Sequence, residues 1–342
     1  MAGVSASTVS NAWNGRTQAM TGETLQRVEE AIRALHYRPS SVARGLVTKC
    51  MGTIGLVINE IETPLFLQGL SVLEPLARRT GYNVLLCVAR TAEDEREAVD
   101  LLLEKQVEGI IFLSTSQYVD DDYLLDLQLA ALPSVLINRA TTHAGFDQIH
   151  WDNRGGIISA VGHLVRLGHR RIAHLRGPMS RRCSVERLEG YRFAHQQHGL
   201  PCCEDLIRPG DFAGRPETWE QSVIELLGLP EPPTAIIASD DVVAARVMKT
   251  IQNCGLRVPQ DVAVVGIDNQ PFSACLNPSL TTIQLPVITA GKRAIEMLLD
   301  RIAGERKAVQ SILLSCPLIV RESCGAAVSA DRPERRANYE TD

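Results

Sequence analysis

Seven short apolar runs, separated by amphipathic stretches, constrain this chain more than any other feature of its sequence. They are TIGLVI (Thr53–Ile58), YNVLLCVA (Tyr82–Ala89), EGIIFL (Glu108–Leu113), PSVLIN (Pro133–Asn138), RIAHLRG (Arg171–Gly177), PTAIIAS (Pro233–Ser239) and DVAVVGID (Asp261–Asp268). Their apolar residues are consecutive rather than alternate, so a strand formed there needs cover on both faces. Between them lie helical stretches such as Asp94–Lys105, where Val99, Leu102 and Leu103 recur at helical spacing, and Asp241–Cys254. Strand and helix in alternation imply right-handed βαβ units and parallel sheets, either one wide sheet or two smaller ones. The 342 residues, 45% of them hydrophobic, suffice for about two or three such domains.

Ligands of parallel sheets bind at the carboxyl ends of the strands. The polar residues just after the apolar runs are therefore the first site candidates: Asn59, Ser114, Asn138, Arg139, Ser239, Asp240, Asp241, Asp268 and Asn269. They form no nucleophile and base pair, and the chain has no GxGxxG after the first strand, no GxxxxGK[ST] and no GxSxG. An enzyme and a cofactor are therefore not expected. Nine cysteines without a CxxC pair point to free thiols rather than a metal site. No apolar run reaches the length of about 18 residues that a membrane span requires, and no basic-then-apolar leader opens the chain. A cytoplasmic protein with no membrane contact is expected.

The first fifty residues differ from the body. Ser5 can cap a helix with an apolar face of Val9, Ala12 and Trp13, and Thr21 can cap a second with Leu25, Val28, Ile32 and Leu35. Pro39–Lys49 is amphipathic but short and contains Gly45, so it reads as a linker that folds only when something orders it. This head carries six basic residues (Arg16, Arg27, Arg33, Arg38, Arg44, Lys49) against Glu23, Glu29 and Glu30. The remainder of the chain is acidic, a polarity that suits an anionic polymer at one end.

AGVSASTVSNAWNG (Ala2–Gly15) and LQRVEEAIRALHYRPSSVARGL (Leu25–Leu46) resemble the DNA-binding head and hinge of the LacI/GalR family of bacterial transcription regulators. The resemblance continues through HLVRLGHRRIAHLRGP (His163–Pro178), RLEGYRFA (Arg187–Ala194), SDDVVA (Ser239–Ala244), GLRVPQDVAVVGIDN (Gly255–Asn269) and PSLTTIQLP (Pro278–Pro286), covering about residues 2–322. It implies an α/β chain: a small all-helical DNA-binding head (1–38), a hinge (39–52), a two-lobed periplasmic-binding-protein-like body with parallel sheets (53–325) and a disordered tail (326–342). The N-lobe would comprise about 53–168 and 285–308, and the C-lobe about 169–284 and 309–325. The chain would thus cross between lobes near 168, 285 and 309.

The same resemblance makes Ser5–Asn14 the recognition helix of a helix-turn-helix. Ala6, Ser7 and Asn11 would meet base edges, while Thr8, Ser10 and Asn14 would hold phosphates. Asn11 stands where many members carry Arg; its amide suits adenine where Arg suits guanine. Leu46, with Ala43 beside it, would wedge into the minor groove, and Arg44 would lie near phosphate. The DNA-binding set is then Ser5, Ala6, Ser7, Thr8, Ser10, Asn11, Asn14, Ala43, Arg44 and Leu46. The effector set is Phe66, Asp152, Arg187, Asp241 and Asp268, with Asp152 and Asp241 equally readable as helix caps. Arg181 or Arg182 reaching the cleft would favour an anionic metabolite over a neutral sugar.

The implied partners are operator DNA, a small-molecule effector and a second copy of the chain, since a two-fold protein reads a pseudo-palindromic site. The tail lacks the leucine heptads of a tetramerising coil. Members of the family carry about fifteen residues ahead of AGVS, forming the first helix of the motif that buttresses the second. Here only Met1 stands there, so the expectation is either a true start upstream that restores the first helix or a loosened head, the former being favoured because the rest of the head pattern is intact. The alternative expectation is a truncated member that dimerises and binds effector but holds DNA poorly.

Overall fold

The computed structural model describes residues 2–13, 15–18, 20–35, 51–61, 64–113, 121–139, 141, 143–210, 216–305 and 308–326. Helix α1 (Ala6–Trp13) begins at Ser5, whose Oγ accepts the Thr8 backbone N–H at 3.2 Å, and α2 (Gly22–Ala34) begins at Thr21, whose Oγ1 accepts that of Thr24 at 3.3 Å. Both caps satisfy donors that the first helical turn leaves open. The two helices share little core. Helix α1 buries none of its residues, Trp13 is 43% exposed, and Val28 is the only buried residue of α2.

The body contains β1 (Thr53–Ile58), α3 (Pro64–Arg79), β2 (Asn83–Val88), α4 (Ala92–Glu104), β3 (Ile110–Leu113), α5 (Tyr123–Leu129), β4 (Ser134–Ile137) and β5 (Asp147–Trp151). Then follow α6 (Asn153–Arg166), β6 (Ile172–Arg176), α7 (Arg182–Gln197), β7 (Ile207–Pro209), α8 (Pro216–Leu227), β8 (Ala235–Ile237), α9 (Asp241–Asn253) and β9 (Ala263–Asp268). The last elements are β10 (Thr281–Gln284), α10 (Val287–Ile302), β11 (Ser311–Leu314) and β12 (Leu318–Ile319). Each of the seven apolar runs contains a strand. Where a strand is central, as β1, β3 and β8 are, its apolar residues are covered on both faces.

These strands form two six-stranded sheets. The first has the order β11-β5-β4-β3-β1-β2 and is parallel throughout. The second has the order β12-β10-β9-β8-β6-β7, with only β12 antiparallel. Helix α10 packs on α3, β3 and β4 in the first lobe, whereas α6 packs on α7, β10 and β12 in the second. The chain therefore crosses between lobes at Asp152, between β10 and α10, and between β11 and β12.

Two expected crossings need correction. The crossing expected near 168 lies at Asp152, because Asp147–Trp151 is a strand of the first sheet and α6 already belongs to the second lobe. The crossing expected near 309 lies at 315–317, because β11 pairs with β5 before the chain leaves. Among the described residues no helix is long and apolar enough to cross a membrane. The tail beyond 326 lies outside the described residues.

A close helix contact lies beneath the second lobe's sheet. A Cβ on Gly190 of α7 would stand 2.6 Å from the Arg154 carbonyl oxygen of α6, so α7 approaches α6 as closely as backbone permits. Gly190→Ala should push α7 away and lower stability by about 1–3 kcal/mol, measured by urea denaturation. An unchanged midpoint would mean that the contact yields at no cost.

Candidate functional site

A cleft of about 500 Å³ opens between the two lobes. The first lobe contributes Asn59 and Glu60 after β1, Leu65 and Phe66 from the first turn of α3, and Trp151 at the end of β5. The second contributes Ser239 and Asp240 after β8, Asp268 at the end of β9, and Arg181, Cys183 and Arg187 from the start of α7. Strand ends from both sheets thus meet where parallel sheets hold ligands.

Arg187 is 6% exposed and organises the second lobe's wall. Its Nε donates to Asn153 Oδ1 at 3.2 Å and its Nη1 to the Ser239 carbonyl at 2.9 Å, leaving the rest of the guanidinium for the cleft it lines. Asn153 in turn donates from Nδ2 to Asn138 Oδ1 of the first lobe at 3.4 Å. Asp268 has φ 117° and Asn269 φ 54°, conformations that L residues adopt only when surroundings impose them. Here the Asn269 N–H donates to Thr282 Oγ1 at 3.2 Å, and Arg321 Nη2 donates to Asn269 Oδ1 at 2.6 Å.

Three carboxylates crowd this wall. Burial pushes Asp268 well above the usual carboxylate range, Asp240 and Asp241 add repulsion, and Arg187 partly opposes them. Burial also raises Asp240, although its carboxylate accepts the Val243 N–H at 2.7 Å and lies near Arg187. Asp241 is pushed up to about 6 by burial, against the pull of its hydrogen bonds to Ser273, Thr282 and the Gln270 N–H.

The sequence-derived effector set divides. Phe66, Arg187 and Asp268 line the cleft together. Asp241 does not: it is fully buried behind the wall, where Oδ1 accepts Thr282 Oγ1 at 2.6 Å and Oδ2 accepts the Gln270 N–H at 2.7 Å. It also crowds Gly266, where any Cβ would collide with Oδ1. Its neighbour Asp240 is the one that caps α9 and faces the cleft. Asp152 caps α6 by accepting the Gly155 N–H at 2.8 Å, and Trp151 rather than Asp152 lines the cleft. Of the two arginines proposed to reach in, Arg181 does, while Arg182 pairs with Glu186 at 2.6 Å.

The strand-end rule found Asn59, Ser239, Asp240 and Asp268 but misled at Arg139. That residue is buried in the first lobe, donating to Glu95 at 2.8 Å and Tyr123 at 2.6 Å. Ser114 lies outside the described residues. Trp151 was missed because it ends a strand whose alternating pattern was not read, and Cys183 carried no signal. The adjacent residues Cys202 and Cys203 diverge, Cys202 packing on one core and Cys203 on another.

In the head, Ser5, Ala6, Ser7, Ser10 and Asn11 are exposed on α1, with Thr8 half-buried. The hydroxyls of Ser5, Ser7 and Thr8 cluster within 2.8 Å of one another through Ser5. An open apolar groove of about 730 Å³ lies between the helices, lined by residues that include Val4, Val9, Val28 and Ile32. Asn14, Ala43, Arg44 and Leu46 lie outside the described residues.

Comparison with known proteins matches residues 161–324 to the periplasmic binding protein-like domain. The HTH-type transcriptional repressor PurR of Mannheimia succiniciproducens is 32% identical over 324 residues, 94% of this chain and 96% of the relative. The Lac repressor dimer bound to operator and the anti-inducer ONPF superposes with a TM-score of 0.83 at 28% identity, covering 95% of this chain and 97% of that one. The transcriptional regulator CelR in complex with cellobiose gives 0.71 at 29% identity, covering 94% and 97%.

A carboxylate held above its ordinary range favours the folded state while protonated, and that contribution is lost as pH rises through the folded value. Asp268→Asn should therefore gain stability over the native chain as pH climbs from about 4 to about 8, followed by thermal melts across that range. A constant difference would mean that Asp268 carries no burial penalty.

Proposed function

The chain belongs to the LacI/GalR family of bacterial transcription regulators, and from that premise we propose that it is a repressor whose hold on operator DNA is switched by a small molecule in the interlobe cleft. One observation carries the reading: groups from both lobes converge on one opening, with guanidinium, carboxylate and aromatic chemistry around it. A ligand touching both lobes stabilises the closed arrangement by its differential contacts, which is the requirement for a population shift.

The polar groups suit a ring-bearing metabolite with acceptors toward Arg181 and Arg187 and donors toward Asp240 and Asp268, between Phe66 and Trp151. A sugar or an anionic metabolite fits, and the second arginine supports the anionic choice. On DNA, the exposed face of α1 would enter the major groove, with Ala6, Ser7 and Asn11 toward bases and Ser5, Thr8, Ser10 and Asn14 toward phosphates. Ala43, Arg44 and Leu46 would act at the minor groove. A two-fold operator calls for a homodimer, working in the cytoplasm where the DNA is.

A second reading keeps the effector and weakens the DNA contact, favoured by the absence of buried residues in α1 and the open groove beside it. Salt titration separates the two. A duplex selected from genomic fragments should bind the full chain with log affinity falling by about 0.9 per phosphate neutralised for each log of salt. Leu46→Ala should cost roughly tenfold, a part of the few kcal/mol exchanged in unstacking a base step. Binding that is absent, or flat with salt, would favour the second reading.

A further inference from the structure

Besides the Asn153–Asn138 contact described above, a second side-chain hydrogen bond joins the lobes beside the cleft without belonging to its lining. Gln68 Nε2, on α3 of the first lobe, donates to Gln270 Oε1 of the second at 2.8 Å, across 202 residues of sequence. Gln270 is 1% exposed and its main chain is anchored: the N–H donates to Asp241 Oδ2 at 2.7 Å, and the carbonyl accepts the Ser273 N–H at 2.9 Å. Asp241 also takes the hydroxyls of Ser273 at 2.5 Å and Thr282 at 2.6 Å. Gln270 therefore moves only with its lobe.

We propose that the Gln68–Gln270 pair is an interlobe latch that sets how far the cleft is closed before a ligand enters, with Asp241 as the residue that positions its second-lobe half. Gln270 follows Asp268 by two residues, and Gln68 follows Phe66 by two on α3. Forming the latch thus brings the aromatic wall toward the carboxylate wall, so closure and assembly of the ligand contacts are one motion. The strained backbone at Asp268 and Asn269 fits this role, because the segment is held by Thr282, Arg321 and Asp241 rather than free to adjust. The latch regulates the cleft assigned above and in that respect rests on that assignment.

Hydrogen exchange on the ligand-free full chain tests the latch directly, comparing the native chain with Gln68→Leu, Gln270→Leu and the double variant, each first checked for native circular dichroism. Losing one amide hydrogen bond shifts a two-state balance by about 2–10-fold. Gln68→Leu should accelerate exchange across residues 268–275, in the lobe opposite the substitution, by that factor. Gln270→Leu should match it at those residues, and the double variant should add nothing further. Changes confined to the mutated lobe, or additive effects of the two substitutions, would overturn the latch. Because no ligand is present, a cleft that takes no effector leaves these results unchanged and fails only when operator binding is titrated with metabolites.

Discussion

The Arg187 guanidinium is the contact on which the cleft depends. It ties the start of α6, through Asn153, to the end of β8, through the Ser239 carbonyl, and it rides on α7. Three element ends of the second lobe are thereby fixed around one cation. That cation also offsets part of the charge of Asp240 and Asp268, which burial alone would force toward the neutral form. Removing it would leave an uncompensated acidic wall at the cleft, so the position weighs most on ligand recognition.

The fold was largely legible in the sequence where the chemistry was local. Central strands of a parallel sheet are apolar on both faces, and each of the seven runs that show this contains a strand. Strand β5 escaped because its sequence, DQIHW, alternates buried and half-buried residues, a pattern weaker over five residues than a continuous run. That omission displaced the first lobe crossing by a whole helix, since α6 was then assigned to the wrong lobe. The caps at Ser5 and Thr21 were read correctly because capping needs only a hydroxyl and the next turn's N–H groups.

The site was legible in residue type but less so in direction. Asp240 and Asp241 are adjacent aspartates at a helix start, and either could cap or bind. Their roles are fixed by which one stands at the cap: Asp240 does, and the next residue is turned into the lobe, where Thr282, Ser273 and the Gln270 N–H receive it. These partners lie 29 to 41 residues away in sequence, and no spacing rule reaches them. Arg139 shows the converse, a strand-end arginine whose charge is consumed inside its own lobe by Glu95 and Asp121.

Coupling between the cleft and DNA is the central claim, and one titration addresses it. Operator affinity of the full chain would be measured with and without a low-molecular-weight metabolite fraction from its host cell, for the native chain and for Arg187→Ala. A coupled site should change native operator affinity by about 5–150-fold, while Arg187→Ala still binds operator and does not respond. An equal response from both chains, or a native affinity that no fraction alters, would contradict an effector site built around Arg187.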